Sequence, residues 1–131
     1  MNSNTNGFNN SLVIVVDDDP DVLRFIRRVL EKHFPSYDIM EFDDGLKVID
    51  VLIDGNPKLM ILDINLPCFG GLELCRLVRK WPRLNRMPIL AITGLLTHKI
   101  EDTMLRQGAS EFLRKPFDQN ELARTIERLL V

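Results

Sequence analysis

The chain has 131 residues, of which 45% are hydrophobic and 27% are charged, and its formal net charge is −2. This length and balance predict one globular domain with a hydrophobic core of its own. A net charge so close to zero gives no reason to expect bulk electrostatic binding to nucleic acid or to a membrane surface. No apolar run approaches the length of a membrane span.

The first residues and the two cysteines indicate in which cellular compartment the protein is expected. Residues 1–11 are rich in Asn and Ser and contain no basic region followed by an apolar one. We therefore predict a disordered leader over residues 1–11, not a secretory signal, and one domain over residues 12–131. Cys68 and Cys75 match neither a redox pair nor a zinc pattern. As free thiols they favour a reducing compartment, and the expected location is cytoplasmic.

Strand-like apolar runs alternate five times with amphipathic segments. The runs are Leu12–Val16, Tyr37–Phe42, Leu59–Leu62, Ile89–Ile92 and Phe112–Arg114. The first, third and fourth runs are apolar throughout, as expected of strands that are covered on both faces. The second alternates between apolar and polar residues, which is typical of a half-exposed edge strand.

The amphipathic segments carry helix signals. Asp19 and Pro20 predict the start of the first helix, and Leu46, Ile49 and Ile53 place the apolar face of the second. The third helix is expected from about residue 71 to 80, and the fourth from about 97 to 107. Asp118 and Glu121 have the spacing of a capping box at the start of the fifth.

This alternation predicts an α/β domain with a parallel sheet and helices on both sides. In such sheets the ligand site lies beyond the carboxyl ends of the strands. Polar residues follow four of the predicted strands at that edge: Asp17 and Asp18, then Asp63, Thr93 and Lys115. The sequence therefore predicts that three carboxylates, a hydroxyl group and an ammonium group lie together at this edge of the sheet.

The acidic residues at this edge need a counterion. Two carboxylates at ~4 Å repel by roughly 4 kcal/mol at an effective dielectric constant near 20. Mg²⁺ is suited to such a cluster because it prefers oxygen ligands, and Lys115 offers a second positive charge. The cluster has no Cys or His partner, so zinc is not expected. Asp19 is interpreted as a helix cap only.

The segment from residue 63 to 71, DINLPCFGG, has Pro four residues and Gly eight residues after Asp63. Together with the acidic pair, Thr93-Gly94 and Lys115-Pro116-Phe117, it resembles the receiver domain of two-component response regulators, including the chemotaxis-type single-domain members. The resemblance covers about residues 12–130. It implies a flavodoxin-like, doubly wound fold with five helices around a five-stranded parallel sheet in the order 2-1-3-4-5.

The resemblance also implies residue roles. Asp63 would be phosphorylated by a phosphohistidine of a histidine kinase or phosphotransfer protein. Asp18, Asp63 and the backbone carbonyl of Asn65 would bind Mg²⁺, with Asp17 acting mainly through water. Thr93 and Lys115 would bind phosphoryl oxygens. Phe112 would be the aromatic switch residue that responds to Thr93, although it lacks the hydroxyl of the Tyr often found there.

Downstream contacts are expected on the face formed by the fourth helix, the fifth strand and the fifth helix (His98 to Arg106, Phe112 and Thr125). The partner there would be a protein or an attached output domain, and neither nucleic acid nor membrane is expected to bind directly. The Lys115–Pro116 peptide bond is expected to be cis, as in similar receivers. In this interpretation the protein is a signalling switch and not a turnover enzyme.

Two alternatives differ in class. One is a metal-dependent phosphatase with an Asp nucleophile, similar to the haloacid dehalogenase superfamily. Those enzymes place a second Asp two residues after the nucleophile, where this chain has Asn65. The other alternative is an interaction module with a receiver fold that does not use phosphorylation. The intact set of Asp63, Thr93 and Lys115 weighs against that module.

Overall fold

The computed structural model describes residues 11–66, 69–95 and 97–131. Residues 1–10 of the expected leader and Cys68 lie outside this range. The strands are β1 (Leu12–Val16), β2 (Asp38–Phe42), β3 (Leu59–Asp63), β4 (Ile89–Thr93) and β5 (Glu111–Arg114). The α-helices are α1 (Pro20–His33), α2 (Gly45–Asp54), α3 (Gly71–Arg79), α4 (His98–Arg106) and α5 (Gln119–Leu130), with a short 3-10 helix at Pro82–Leu84.

The five strands form one sheet in the order β2-β1-β3-β4-β5, and every pairing is parallel. This confirms the predicted architecture. β1, β3 and β4 are buried along their whole length, whereas β2 is an edge strand whose residues are all exposed or partly exposed. The sequences of β1, β3 and β4 are apolar throughout because both of their faces are buried. The sequence of β2 also includes polar residues because this strand is partly exposed to solvent.

Helices cover both faces of the sheet, and each face has its own core. On one face, buried side chains of α2, α3 and α4 pack against the strands: Val48, Leu52, Leu74, Cys75, Val78 and Met104. On the other face, α1 and α5 contribute Ile26, Val29, Leu30, Leu122 and Ile126. Cys75 is a free, buried thiol. No helix within the described residues is both long and apolar enough to cross a membrane.

Side-chain caps mark the starts of four helices, because the first N–H groups of a helix lack partners within it. The cap residues of α1, α2, α4 and α5 are Asp19, Asp44, Thr97 and Asp118, respectively. The predicted cap at Asp19 accepts a hydrogen bond from the Asp21 N–H at 2.9 Å. Gly108, which follows the end of α4, has φ +110°, a conformation that favours glycine.

The predicted core face of α2 is wrong at Leu46 and Ile53, although Ile49 packs against the core as expected. Leu46 and Ile53 are 53% and 52% exposed, whereas Val48 and Leu52 are fully buried. The sequence of α2, GLKVIDVLID, places apolar residues on more than one side of the helix. Its periodicity therefore predicts a helix but does not decide which stripe meets the sheet.

Candidate functional site at the carboxyl edge of the sheet

The carboxyl ends of the parallel strands bring the predicted polar residues to one edge. Asp17 directly follows β1, while Asp63 and Thr93 are the last residues of β3 and β4. Lys115 directly follows β5, and its N–H donates to the Thr93 carbonyl at 2.7 Å. The sheet thus assembles in space a group of residues that are spread over nearly a hundred positions of the sequence.

Three carboxylates form the acidic part of the site. Asp17, Asp18 and Asp63 each offer an oxygen, and these oxygens all lie within 4.8 Å of one another. Asp17 is fully buried and Asp63 is 4% exposed, whereas Asp18 is exposed. Two of the three carboxylates are therefore buried, and the third, that of Asp18, faces solvent.

Lys115 lies between the two buried acids. Its Nζ is 2.8 Å from Asp17 Oδ2 and 3.3 Å from Asp63 Oδ2. The other oxygen of each carboxylate is bound locally: Asp17 Oδ1 accepts the Asp19 N–H at 2.9 Å, and Asp63 Oδ1 accepts the Asn65 N–H at 3.0 Å. These turns orient both carboxylates with Oδ2 toward the ammonium. The Lys115–Pro116 bond is cis, as expected.

One ammonium does not balance the buried negative charge. Burial raises the pKa of the Asp17 carboxyl above its usual value, and the charge of Asp63 adds to this, against the opposing contacts of Lys115 and the Asp19 N–H. Burial by itself would lower the pKa of Lys115, but its contacts with Asp17 and Asp63 outweigh burial and raise it. The site thus holds a firmly charged lysine and an excess of carboxylate.

The donor set fits a hard divalent cation. Asp17 Oδ2 is buried and accepts no aligned hydrogen bond from the described residues, so its contact with Lys115 is an ion pair only. Lys115 supplies one positive charge to this oxygen, and the three carboxylates of the cluster keep an excess of negative charge that a second cation would balance. Among the described residues the cluster consists of carboxylates, with neither Cys nor His, and such oxygen ligands match Mg²⁺ and not a soft metal.

Thr93 and Phe112 lie beside this cluster on the next two strands. Thr93 is fully buried, and its Oγ1 accepts the Leu95 N–H at 3.0 Å. In the register of β4 and β5, Ala91 pairs with Phe112 and Thr93 pairs with Arg114. Since side chains alternate along a strand, Thr93 and Phe112 are on the same face of the sheet. Phe112 is half-buried against the core under α2, α3 and α4.

Two glycines at this edge have close contacts that sequence reasoning missed. An ideal Cβ on Gly71 would lie 2.3 Å from the Asp63 carbonyl oxygen and 2.5 Å from Ile64 Cα. A Cβ on Gly45 would lie 2.5 Å from the Phe69 carbonyl oxygen. The position of Gly71 eight residues after Asp63 is visible in the sequence, but the contact of Gly45 depends on how α2 meets the segment after β3.

The prediction that Thr125 belongs to the contact surface is wrong. Thr125 is 2% exposed, and its hydroxyl donates to the Glu121 carbonyl at 2.9 Å. It therefore stabilises α5 internally and is not part of the surface formed by α4, β5 and α5. The exposed neighbour Arg128 pairs with Glu111 of β5 at 2.7 Å.

Fold and site together define a doubly wound α/β domain. At the carboxyl edge of its sheet is an acidic pocket in which Lys115 contacts two of the carboxylates. The response regulator receiver domain family model matches residues 13–127. The chain belongs to this family, whose general function is phosphorylation on an Asp with Mg²⁺ bound in the acidic pocket. The resemblance predicted from the sequence is confirmed.

A regulator with a longer chain is among the similar proteins. The response regulator MprA of Mycobacterium sp. (strain KMS) is 33% identical over 118 residues, which cover 90% of this chain and 50% of that protein. The chain spans half or less of the length of the first curated relatives that it matches.

Solved structures have the same fold. The chemotaxis response regulator CheY4 of Vibrio cholerae superposes with a TM-score of 0.84 at 25% identity, covering 92% of this chain and 98% of that one. The receiver domain of the sensor histidine kinase PA1611 of Pseudomonas aeruginosa superposes with a TM-score of 0.82 at 24% identity, covering 92% and 97%. That receiver has a magnesium ion coordinated in its active site cleft.

Proposed function

We propose that Asp63 is the residue of this receiver that accepts the phosphoryl group, from a phosphohistidine of a histidine kinase or phosphotransfer protein. The observation that carries this proposal is the placement of Asp63 Oδ2 at 3.3 Å from Lys115 Nζ, inside a cluster of three carboxylates. Asp63 is the member of this cluster at the end of the central strand β3.

The geometry around Asp63 supports the proposed transfer. The Asn65 N–H holds Oδ1, which leaves an oxygen of the carboxylate to attack the phosphorus atom. The new O–P bond forms as the P–N bond to the histidine breaks, and the departing imidazole takes a proton from water. Lys115 stabilises the charge on the equatorial oxygens of the transferred group. The product is an acyl phosphate on Asp63.

The residues that would hold Mg²⁺ are Asp18, Asp63 and Asn65 through its backbone carbonyl, with Asp17 contributing mainly through water. When bound, the ion screens the repulsion between the acceptor carboxylate and the incoming phosphate. The excess of carboxylate over ammonium in the cluster and the exposed carboxylate of Asp18 support this assignment.

Thr93 is the proposed sensor of the modification. Its Oγ1 already accepts the Leu95 N–H, and its hydroxyl proton remains able to donate to a phosphoryl oxygen. A new bond to the phosphoryl group would draw Thr93 and Leu95 toward Asp63. Phe112, on the same face of the sheet, would then turn inward and alter the surface of α4, β5 and α5.

That surface is the proposed contact for a downstream protein or an output domain. The protein would act as a switch, catalysing only its own phosphorylation and dephosphorylation. A cytoplasmic site of action agrees with the free thiol of Cys75.

Intact mass spectrometry tests the assignment. We expect the protein, incubated with Mg²⁺ and acetyl phosphate, to gain one phosphoryl group that EDTA prevents. Asp63→Ala should gain none, whereas Asp50→Ala, which changes an exposed Asp on α2, should behave as the unmodified chain does. Phosphoryl incorporation into Asp63→Ala would contradict the proposal. Continuous release of phosphate from small phosphoesters would instead support the phosphatase alternative.

A further inference from the structure

The first residue of α3 lies against the acceptor strand. An ideal Cβ on Gly71 would be 2.3 Å from the Asp63 carbonyl oxygen, and the Gly71 N–H donates to the Ile64 carbonyl at 3.2 Å. Further along the helix, Leu74 and Val78 are fully buried in the core. These contacts fix α3 in position relative to the end of β3, which carries Asp63.

The second half of α3 reaches the C-terminal end of α4 through three side chains. The Cys75 thiol donates to the Gln107 carbonyl at 3.2 Å, and Arg76 Nε donates to Gln107 Oε1 at 2.9 Å. Arg79 Nε donates to the Gly108 carbonyl at 2.9 Å. The last carbonyl groups of a helix lack partners within it and carry partial negative charge, so these donors from α3 stabilise the end of α4.

Arg79 also packs closely against the turn that follows α4. Gly108 has φ +110°, and an ideal Cβ on it would lie 2.5 Å from Arg79 Cγ. The guanidinium donates a second hydrogen bond, to the Leu84 carbonyl at 3.0 Å. The side chain of Arg79 therefore connects α3, the 3-10 helix and the end of α4 in one network.

α4 is packed less firmly than α3, although both helices have nine residues. Within α4, all of which the structure describes, Met104 is the single buried residue, and it lies in the C-terminal half. His98 and Lys99 are exposed and Ile100 is half-buried, whereas α3 buries four residues. Because segments with few buried contacts rearrange at low cost, the N-terminal half of α4 is the part that can move.

We propose that α3 fixes the C-terminal end of α4 relative to Asp63, so that phosphorylation changes the N-terminal half of α4 alone. Arg76 and Arg79 are the positioning residues of this link. The inference rests on the proposed function and deepens it, because it names the part of the surface formed by α4, β5 and α5 that differs between the two states.

This division of α4 defines how a downstream protein recognises the switch. Leu105, which is 47% exposed, lies at the fixed end and offers the same apolar contact in both states. His98 and Lys99 lie at the responding end. A protein that binds the phosphorylated state selectively must therefore contact the first turn of α4.

Amide NMR with Mg²⁺ and beryllofluoride, a mimic of a phosphoryl group, tests the link. In the unmodified chain we expect beryllofluoride to shift the amide signals of residues 98–101, whereas those of residues 104–107 change little. In the double variant Arg76→Met/Arg79→Met the shifts should extend to residues 104–107. Amide hydrogen exchange at residues 104–107 should become about 10-fold faster, because two hydrogen bonds to the end of α4 are lost.

Arg83→Met is the matched control, because Arg83 binds the end of a different helix. Its guanidinium donates to the Leu52 carbonyl at 2.7 Å and to the Ile53 and Gly55 carbonyls, at the C-terminal end of α2. We expect this variant to lose stability in urea as the double variant does. Its shifts and exchange rates in α4 should stay as in the unmodified chain.

These measurements distinguish the link from a purely structural role of the two arginines. If the double variant is less stable in urea but residues 104–107 exchange and respond as in the unmodified chain, the proposal is overturned. Equal shifts along the whole of α4 in the unmodified chain would also overturn it. If the double variant does not fold, Arg76→Met alone, at an exposed side chain, is judged by the same two measurements. Absence of any beryllofluoride response at Asp63 in the unmodified chain would instead refute the proposed function.

Discussion

The segments that follow β3 and β4 start from neighbouring strands but differ in the space around them. After β3, Gly71 lies so close to Asp63 and Ile64 that no side chain fits. After β4, a Cβ on Gly94 would meet nothing within 4 Å, and Leu95 is 68% exposed. Gly71, where the chain enters α3 after the acceptor strand, is confined, whereas Gly94 and Leu95, which directly follow the strand that ends in Thr93, are open.

This difference matches the two tasks proposed for the edge. Phosphoryl transfer requires that the acceptor and its ligands be held in place, since a 1 Å error can reduce the rate about 100-fold. A switch requires a part that rearranges at low cost, and such parts have few buried contacts. The neighbouring strands β3 and β4 thus divide positioning from response.

The largest effect is expected from filling the space at Gly71. Gly71→Ala places a Cβ against two backbone groups, so α3 or the end of β3 must shift. We expect a loss of about 2 kcal/mol in the free energy of unfolding, measured by urea denaturation, together with loss of phosphorylation. Gly94→Ala should change the free energy of unfolding by less than about 0.5 kcal/mol. Equal losses of stability in Gly71→Ala and Gly94→Ala would contradict the difference in available space between the two positions.

A moderate effect is expected from removing one buried charge beside β3. Asn at position 17 can keep the bond from the Asp19 N–H, and Lys115 retains Asp63 as a partner. In Mg²⁺-free buffer at neutral pH we expect Asp17→Asn to be more stable by on the order of 1 kcal/mol, because it removes the repulsion between the Asp17 and Asp63 carboxylates, while it binds Mg²⁺ more weakly. Calorimetry with and without Mg²⁺ measures both.

The pH dependence of stability tests whether the charge of Asp17 destabilises the Mg²⁺-free protein. The pKa of Asp17 is raised in the folded state, so folding favours its protonated form. The Mg²⁺-free protein should therefore lose stability as pH rises from the unfolded pKa of Asp17 through its folded pKa. Asp17→Asn should lack this part of the slope. A less stable Asp17→Asn at neutral pH would contradict the charge excess described for the site.

The smallest effect on stability is expected at Thr93. Thr93→Val removes the acceptor of one hydrogen bond, from the partly exposed segment at Leu95, and should cost about 1 kcal/mol or less. Asp63 should still be phosphorylated, because the contacts that orient its carboxylate come from Asn65 and Lys115. A complete loss of phosphorylation in Thr93→Val would place Thr93 among the positioning groups and not the responding ones.

Much of this architecture could be predicted from the sequence. Solid apolar runs identified the buried strands, and Asp19 and Asp118 identified helix starts, because these signals are local. The convergence of Asp17, Asp63, Thr93 and Lys115 followed from parallel topology alone. The core face of α2 could not be predicted, because its apolar residues lie on more than one side. The contact of Gly45 with Phe69 depends on packing between distant segments, which leaves no local pattern.

Amide NMR with Mg²⁺, recorded before and after addition of beryllofluoride as a mimic of a phosphoryl group, tests the central claim most directly. We predict that shifts begin at Asp63 and extend through Thr93 and Leu95 to Phe112 and α4, while Gly45 and Val48 of α2 change little. None of these shifts should occur in Asp63→Ala. A folded protein that binds Mg²⁺ but shows no response to beryllofluoride would contradict the account and favour a phosphorylation-independent interaction module.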